Sequence, residues 1–288
     1  VTNYDNYAIA ADFNQEEKGL DILAHLDVVP AGEGWQETDP FTPHVKDGKM
    51  FGRGTADDKG PAIAAIYAMR AVKELGYPLK KNVRLVLGSD EECGSSDLEY
   101  YYKKEAEAPC TFSPDAEFPV INIEKGGMRG HFEKTSDGGT TGVHLVSLQA
   151  GTKLNVVPGK AYAELAGMKK EELKACADET EQKTGVSFLL EDNENGTVKI
   201  TACGAFAHAS TPEMGNNALT ALLQLLASVP LEESELKNDI IFLSQVYPHG
   251  DGKGAGLGVA MSDEESGELT LSLDLMNYDG KTLTGSYD

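Results

Sequence analysis

Two short apolar runs end in turns crowded with acidic side chains, and an alanine-rich segment of helical period lies between them. Residues 20–24 (Leu-Asp-Ile-Leu-Ala) lead into His25-Leu26-Asp27-Val28-Val29-Pro30, and residues 82–87 (Asn-Val-Arg-Leu-Val-Leu) lead into Gly88-Ser89-Asp90-Glu91-Glu92. In between, residues 60–76 place Ile63, Ile66, Tyr67, Met69, Ala71 and Val72 at helical spacing, with Gly76 and Pro78 as stop signals. A helix over 96–105 and a strand over 120–123 continue the alternation. Strand–helix–strand order predicts an α/β fold, a mostly parallel sheet with flanking helices. The acidic clusters then fall just past the strand ends, where open α/β sheets place their sites.

Near Lys125-Gly126-Gly127 the texture changes. Strands are expected at 128–134, 143–150 and 156–165, then a helix at 169–183, strands at 186–191 and 197–203, and a helix at 216–228. A strand pair, 269–278 and 281–287, turns at Asp279-Gly280. This pattern predicts an α+β domain with a more antiparallel sheet. The expected division is 1–127 and 128–288.

Composition removes several classes of function. The 288 residues carry 47 acidic against 25 basic side chains, a net charge of −22, with no Lys/Arg stripe, which argues against nucleic-acid binding. A 40% hydrophobic fraction spread along the chain is enough for a buried core. No apolar run approaches the ~20 residues that span a bilayer, so no membrane partner is expected. Val1 is followed by neither the basic start nor the apolar core of a signal peptide, and the natural ends of the protein are expected to lie elsewhere. Cys93, Cys110, Cys176 and Cys203 form no CxxC pair and read as reduced thiols of a cytoplasmic protein.

The chemistry-bearing residues come as an ordered series: His25-x-Asp27, then Gly52-Arg53-Gly54-Thr55-Ala56-Asp57-Asp58-Lys59-Gly60, then Asp90-Glu91-Glu92, then Ser113-Pro114-Asp115. Carboxylates and a neutral imidazole are the donors of a zinc- or manganese-type hydrolytic site. In His25-x-Asp27 the strand period points both side chains to one face. The ring can then bind a metal while the carboxylate holds its other N–H.

These residues resemble the di-zinc metallopeptidase family of carboxypeptidase G, aminoacylase and acetylornithine deacetylase, and within it the bacterial dipeptidase V-like (Xaa-His dipeptidase, carnosinase-type) branch. The second domain adds Leu154-Asn155-Val156-Val157-Pro158 and Ala207-His208-Ala209-Ser210, with Pro212, Gly215 and Asn217-Ala218; residues 254–270 add a weaker likeness. The resemblance implies two zinc ions, with manganese or cobalt as substitutes. His25 and Asp115 bind one, Glu92 the other, and Asp57 bridges them. It implies Glu91 as general base toward a metal-bridged water, Asp27 as the residue orienting His25, and a cis bond at Asp57–Asp58. The second domain is a lid in this family. There His208 is implied to hydrogen-bond the oxyanion, with a satisfied loop histidine as the alternative. Asn155 either contacts substrate or stabilises the turn before Val156. His44, His131, His144 and His249 match no motif and are read as surface or structural.

Relatives also carry a segment before the position of Val1, and a further histidine ligand and a substrate-carboxylate arginine after the lid. The expectation is therefore a chain truncated at both ends and an incomplete lid. One metal position would be tighter and one weaker, and uncovered apolar surface would favour self-association. The implied activity is hydrolysis of dipeptides, with a small peptide as substrate. An amidohydrolase acting on N-acyl amino acids and a non-catalytic metal-binding fragment are the alternatives.

Overall fold

The computed structural model describes residues 1–32 and 35–288. The chain divides into two units, Val1–Asn122 and Ile123–Asp288.

The first unit contains β1 (Thr2–Tyr4), β2 (Ala8–Asp12), β3 (Lys18–His25), the hairpin strands β4 (His44–Lys46) and β5 (Lys49–Phe51), helix α1 (Lys59–Glu74), β6 (Asn82–Gly88), helix α2 (Ser96–Tyr102) and β7 (Thr111–Phe112). Its main sheet runs β1-β2-β6-β3-β7. The pairings of β3 with β6 and β7 are parallel, as the strand–helix–strand order requires, while β1 and β2 add antiparallel pairings at one edge. β3 is covered on both faces. Ile22 and Ala24, with Leu85 of β6, pack against Ala62, Ala65 and Met69 of α1. Leu23 and Val86 face the other way, toward Tyr101 and Leu98 of α2. The two-residue period of the strands thus distributes consecutive apolar residues between two helices, which is why the runs read as continuously apolar.

Two local expectations change. α1 turns Ala62, Ala65 and Met69 to the sheet and leaves Ile63, Ile66 and Tyr67 exposed, because a close helix–sheet contact takes alanine better than a β-branched or aromatic side chain. Residues 120–123 form no strand. Val120 and Ile121 are exposed, Pro119 supplies no N–H, and the third parallel strand is the short β7 upstream.

The second unit contains β8 (Gly130–Thr135), β9 (His144–Ala150), β10 (Val156–Val157), β11 (Lys160–Ala166), α3 (Lys170–Thr184), β12 (Ser187–Asp192), β13 (Val198–Cys203), β14 (Ala207–His208), α4 (Ala218–Ser228), α5 (Glu235–Val246), β15 (Ser262–Asp263), β16 (Gly267–Glu268), β17 (Leu273–Tyr278) and β18 (Thr282–Tyr287). The sheet order is β12-β13-β11-β9-β17-β18-β8, with antiparallel pairings throughout. α4 packs on β11, β13 and β17 between α3 and α5, burying Leu219, Leu222, Leu223, Leu225 and Leu226 completely. Pro158 breaks the expected strand over 156–165 into β10, which pairs with β14, and β11 in the sheet. α5 escaped the sequence reading although its signal is present: Ser234 caps it through the Lys237 N–H, and Leu236, Ile240 and Leu243 recur on one buried face. No helix among the described residues is long and apolar enough to cross a membrane.

Candidate metal centre

β3 and β6 end side by side, with His25 opposite Gly88. The chain leaving each strand is then gripped by buried carboxylates. Asp58, fully buried at the start of α1, accepts the His25 N–H on Oδ2 at 3.1 Å. Asp97 of α2 accepts the N–H groups of Ser89 and Asp90 on Oδ2, at 2.6 and 3.0 Å. That carboxylate lies so close to β6 that a Cβ on Gly88 would sit 2.1 Å from it, so only glycine fits there. Asp27 accepts the next two N–H groups, from Glu91 at 3.3 Å and Glu92 at 3.1 Å. The Glu91-Glu92 turn is therefore held by its backbone while both side chains stay free.

The imidazole of His25 is the hub. Its Nδ1 faces Asp27, 3.0 Å from the main-chain oxygen and 3.3 Å from Oδ1. A carbonyl oxygen can only accept, so Nδ1 keeps its proton, and Nε2 would be the donor atom for a metal that takes the place of the proton it shares with Asp57. Nε2 lies 2.9 Å from Asp57 Oδ1, 3.4 Å from Asp115 Oδ2 and 4.0 Å from Glu91 Oε2. Ligand atoms of His25, Asp57 and Glu92 lie within 4.8 Å of one another, as do those of His25, Glu91 and Asp115. The Asp57–Asp58 peptide bond is cis. The four carboxylates named from the sequence as metal or base residues of this domain, Asp57, Glu91, Glu92 and Asp115, lie around the His25 imidazole.

The electrostatics match a cation site. Burial raises the Glu91 carboxyl above its ordinary value, and Asp115, Glu92 and Asp57 push it further against the pull of His25. Burial likewise raises Asp115, with Asp57 adding to it. Burial alone would hold the His25 imidazole down, but Asp57, Asp115 and Asp27 outweigh it and lift the ring above its usual value. Carboxylates gathered against their own repulsion around one nitrogen are a donor set that a divalent zinc-type ion fits.

His208 and Asn155 lie in the second unit. Ser210 donates its backbone N–H to His208 Nδ1 at 3.2 Å, and its hydroxyl lies 2.7 Å from the same nitrogen. Nδ1 is therefore the acceptor, and the exposed Nε2 carries the proton. Asn155 stands in the left-handed conformation at φ 64°. His249 is structural: both ring nitrogens are engaged, Nδ1 with Thr220 Oγ1 at 3.0 Å and Nε2 with the Thr184 carbonyl at 3.2 Å. The sequence reading assigned no role to Asp58, Asp97 or Asp274. The last carries a visible signal, a carboxylate set between apolar neighbours in Leu273-Asp274-Leu275-Met276.

Residues 22–243 match peptidase family M20/M25/M40. The chain belongs to this family. Members of the M20 family are metal-dependent peptidases, and the His25 cluster has the donors such an enzyme uses. The chain is 35% identical over 283 residues to YtjP of Bacillus subtilis (strain 168), covering 96% of this chain and 59% of that protein. It is 36% identical over 280 residues to a Beta-Ala-Xaa dipeptidase of Lactobacillus delbrueckii subsp. lactis, covering 96% and 58%. The M20 chain thus spans less than two thirds of the length of these curated relatives. A crystal structure of human carnosine dipeptidase 1 is a looser match, with 17% identity, a TM-score of 0.36, and coverage of 79% of this chain and 63% of that one.

Proposed function

We propose that this chain carries the metal centre and the oxyanion-binding turn of a zinc-dependent dipeptidase, with an unblocked dipeptide as substrate. The observation that carries the reading is the convergence of Asp57, Glu91 and Asp115 on His25 Nε2. His25 and Asp115 would hold one ion and Glu92 the other, with Asp57 between them. Zinc suits this donor set, as do manganese and cobalt. A divalent ion held by these residues would supply Lewis acidity toward the scissile carbonyl and lower the pKa of water by several units.

The remaining chemistry belongs to the chain. Glu91, held only by its backbone, has a free carboxylate to take the proton of the attacking water and return it to the leaving amine. Asp27 keeps the His25 ring and the Glu91-Glu92 turn in register. His208 offers an Nε2–H donor for the developing oxyanion, a contact worth ~3 kcal/mol in comparable sites. The name of the Lactobacillus relative supports a dipeptide substrate. The four free cysteines support a cytoplasmic location.

The test is a side-by-side assay on dipeptides and N-acetyl amino acids with added zinc or manganese, with Glu91→Gln as control. Dipeptide turnover should fall by about two to four orders of magnitude in the variant. Undiminished turnover in Glu91→Gln would overturn the assignment of the base. Faster cleavage of N-acetyl amino acids would make the chain a deacylase. Metal binding without turnover would make it a non-catalytic fragment.

A further inference from the structure

Asp274 lies in β17 with no solvent exposure, beside the buried apolar residues Leu273 and Met276. A carboxylate in such a place costs free energy unless it is compensated, and it has one strong partner. Its Oδ2 accepts the backbone N–H of Asn155 at 2.8 Å, while Oδ1 finds no hydrogen-bond donor among the described residues. Burial lifts this carboxyl to about 6, with Asp288 adding to the rise and Ser272, the Asn155 N–H and Arg129 opposing it.

The bond falls at a point of leverage. Asn155 holds φ 64°, a conformation uncommon outside glycine. Its carbonyl accepts the Ala209 N–H at 2.9 Å, and the next residue, Val156, pairs with His208. One carboxylate therefore fixes the backbone of Asn155 and, one hydrogen bond further on, the turn that carries His208. The connection approaches the same strand closely a second time: a Cβ on Gly151 would lie 1.8 Å from the Asp274 carbonyl oxygen.

We propose that Asp274 is a positioning residue, which sets the left-handed backbone of Asn155 and through it the placement of His208. The proposal rests on the assignment of His208 and Asn155 to the substrate-contacting turns. It is tested on the full chain with Asp274→Ala and Asp274→Asn, by amide hydrogen exchange and by dipeptide kinetics. Loss of the acceptor in Asp274→Ala should speed exchange at Asn155 and Ala209 by about tenfold, leaving β9 and β11 unchanged. Asp274→Asn keeps an acceptor oxygen and should restore both rates.

In the kinetics, Asp274→Ala should lower kcat about tenfold with little change in KM. Combined with His208→Ala, it should cost nothing beyond His208→Ala alone. Unchanged exchange at Ala209, multiplying losses in the double variant, or no rescue by Asp274→Asn would each overturn the proposal. If Asp274→Ala does not fold, the Asp274→Asn result decides alone. If no variant turns over dipeptide, the exchange rates still decide the part played by Asp274, and the failure lies with the catalytic reading.

Discussion

Asp27 touches both halves of the candidate metal centre. Its main-chain oxygen faces His25 Nδ1, and its carboxylate caps the N–H groups of Glu91 and Glu92. Asp27→Ala should therefore weaken zinc binding by about 10- to 100-fold, as loss of a group that orients metal ligands does elsewhere. Calorimetric titration of the metal checks this, and affinity within twofold of the parent would show that the turn needs no such support. Glu105 is a carboxylate whose charge stabilises the first unit. Hydrogen bonds from Lys18, Tyr4 and Arg84 hold its carboxyl at about 2, against the opposing effect of partial burial. A depressed folded value means stabilisation that is present above the unfolded value of 4.5 and is lost as pH falls toward 2. The shift corresponds to at most ~3 kcal/mol. Urea unfolding of Glu105→Gln should show a shallower acid dependence between those two pH values. Equal slopes in the two proteins would assign the acid sensitivity to other groups.

At the scale of elements, caps and breakers decide where the site-bearing segments begin. Asn217 is the N-cap of α4: its side-chain oxygen accepts from Leu219 and Thr220, and its amide donates to the Leu273 carbonyl at 3.0 Å. Asn217→Ala should destabilise the second unit by about 1–2 kcal/mol, and Asn217→Asp should recover part of that loss. Denaturant midpoints read this directly. The elements written in local sequence were legible: β3, β6, α1, α3, α4 and the β17–β18 turn at Asp279-Gly280 follow from period and turn residues. The edge strand β1 and its neighbour β2 were not, because Asn3, Tyr4, Ala8 and Ala10 become strand residues only by pairing with each other and with β6. The same holds in reverse for 120–123, whose apolar residues meet no partner strand.

Over the whole molecule, the two units differ in the size of their cores. The second unit buries one large cluster built around α4, while the first divides its buried residues into two small clusters, one on each face of its sheet. Less apolar area leaves water in the first unit, and its carboxylate cluster adds repulsion, so urea should unfold it first. Zinc should raise the midpoint of that first transition only, by binding the folded state. Circular dichroism with and without zinc tests this, and Asp57→Ala should remove the shift. A single transition that zinc moves as one would show that the units unfold together.

The parallel pairing of β3 with β6 and the supply of donors at their ends were determined by the sequence alone. Apolar runs, helical period and turn residues act over a few positions, and strand ends inherit whatever side chains follow them. Which carboxylates face the His25 ring was decided only by the tertiary structure. Asp57, Glu91 and Asp115 reach it from three separate connections, while Asp58, Asp97 and Asp274 are buried on backbone N–H groups, those of Asp58 and Asp274 far from them in sequence. Both sets are carboxylates. Burial and hydrogen-bond partners, which long-range packing sets, separate a carboxylate free to bind a cation from one spent on holding the chain.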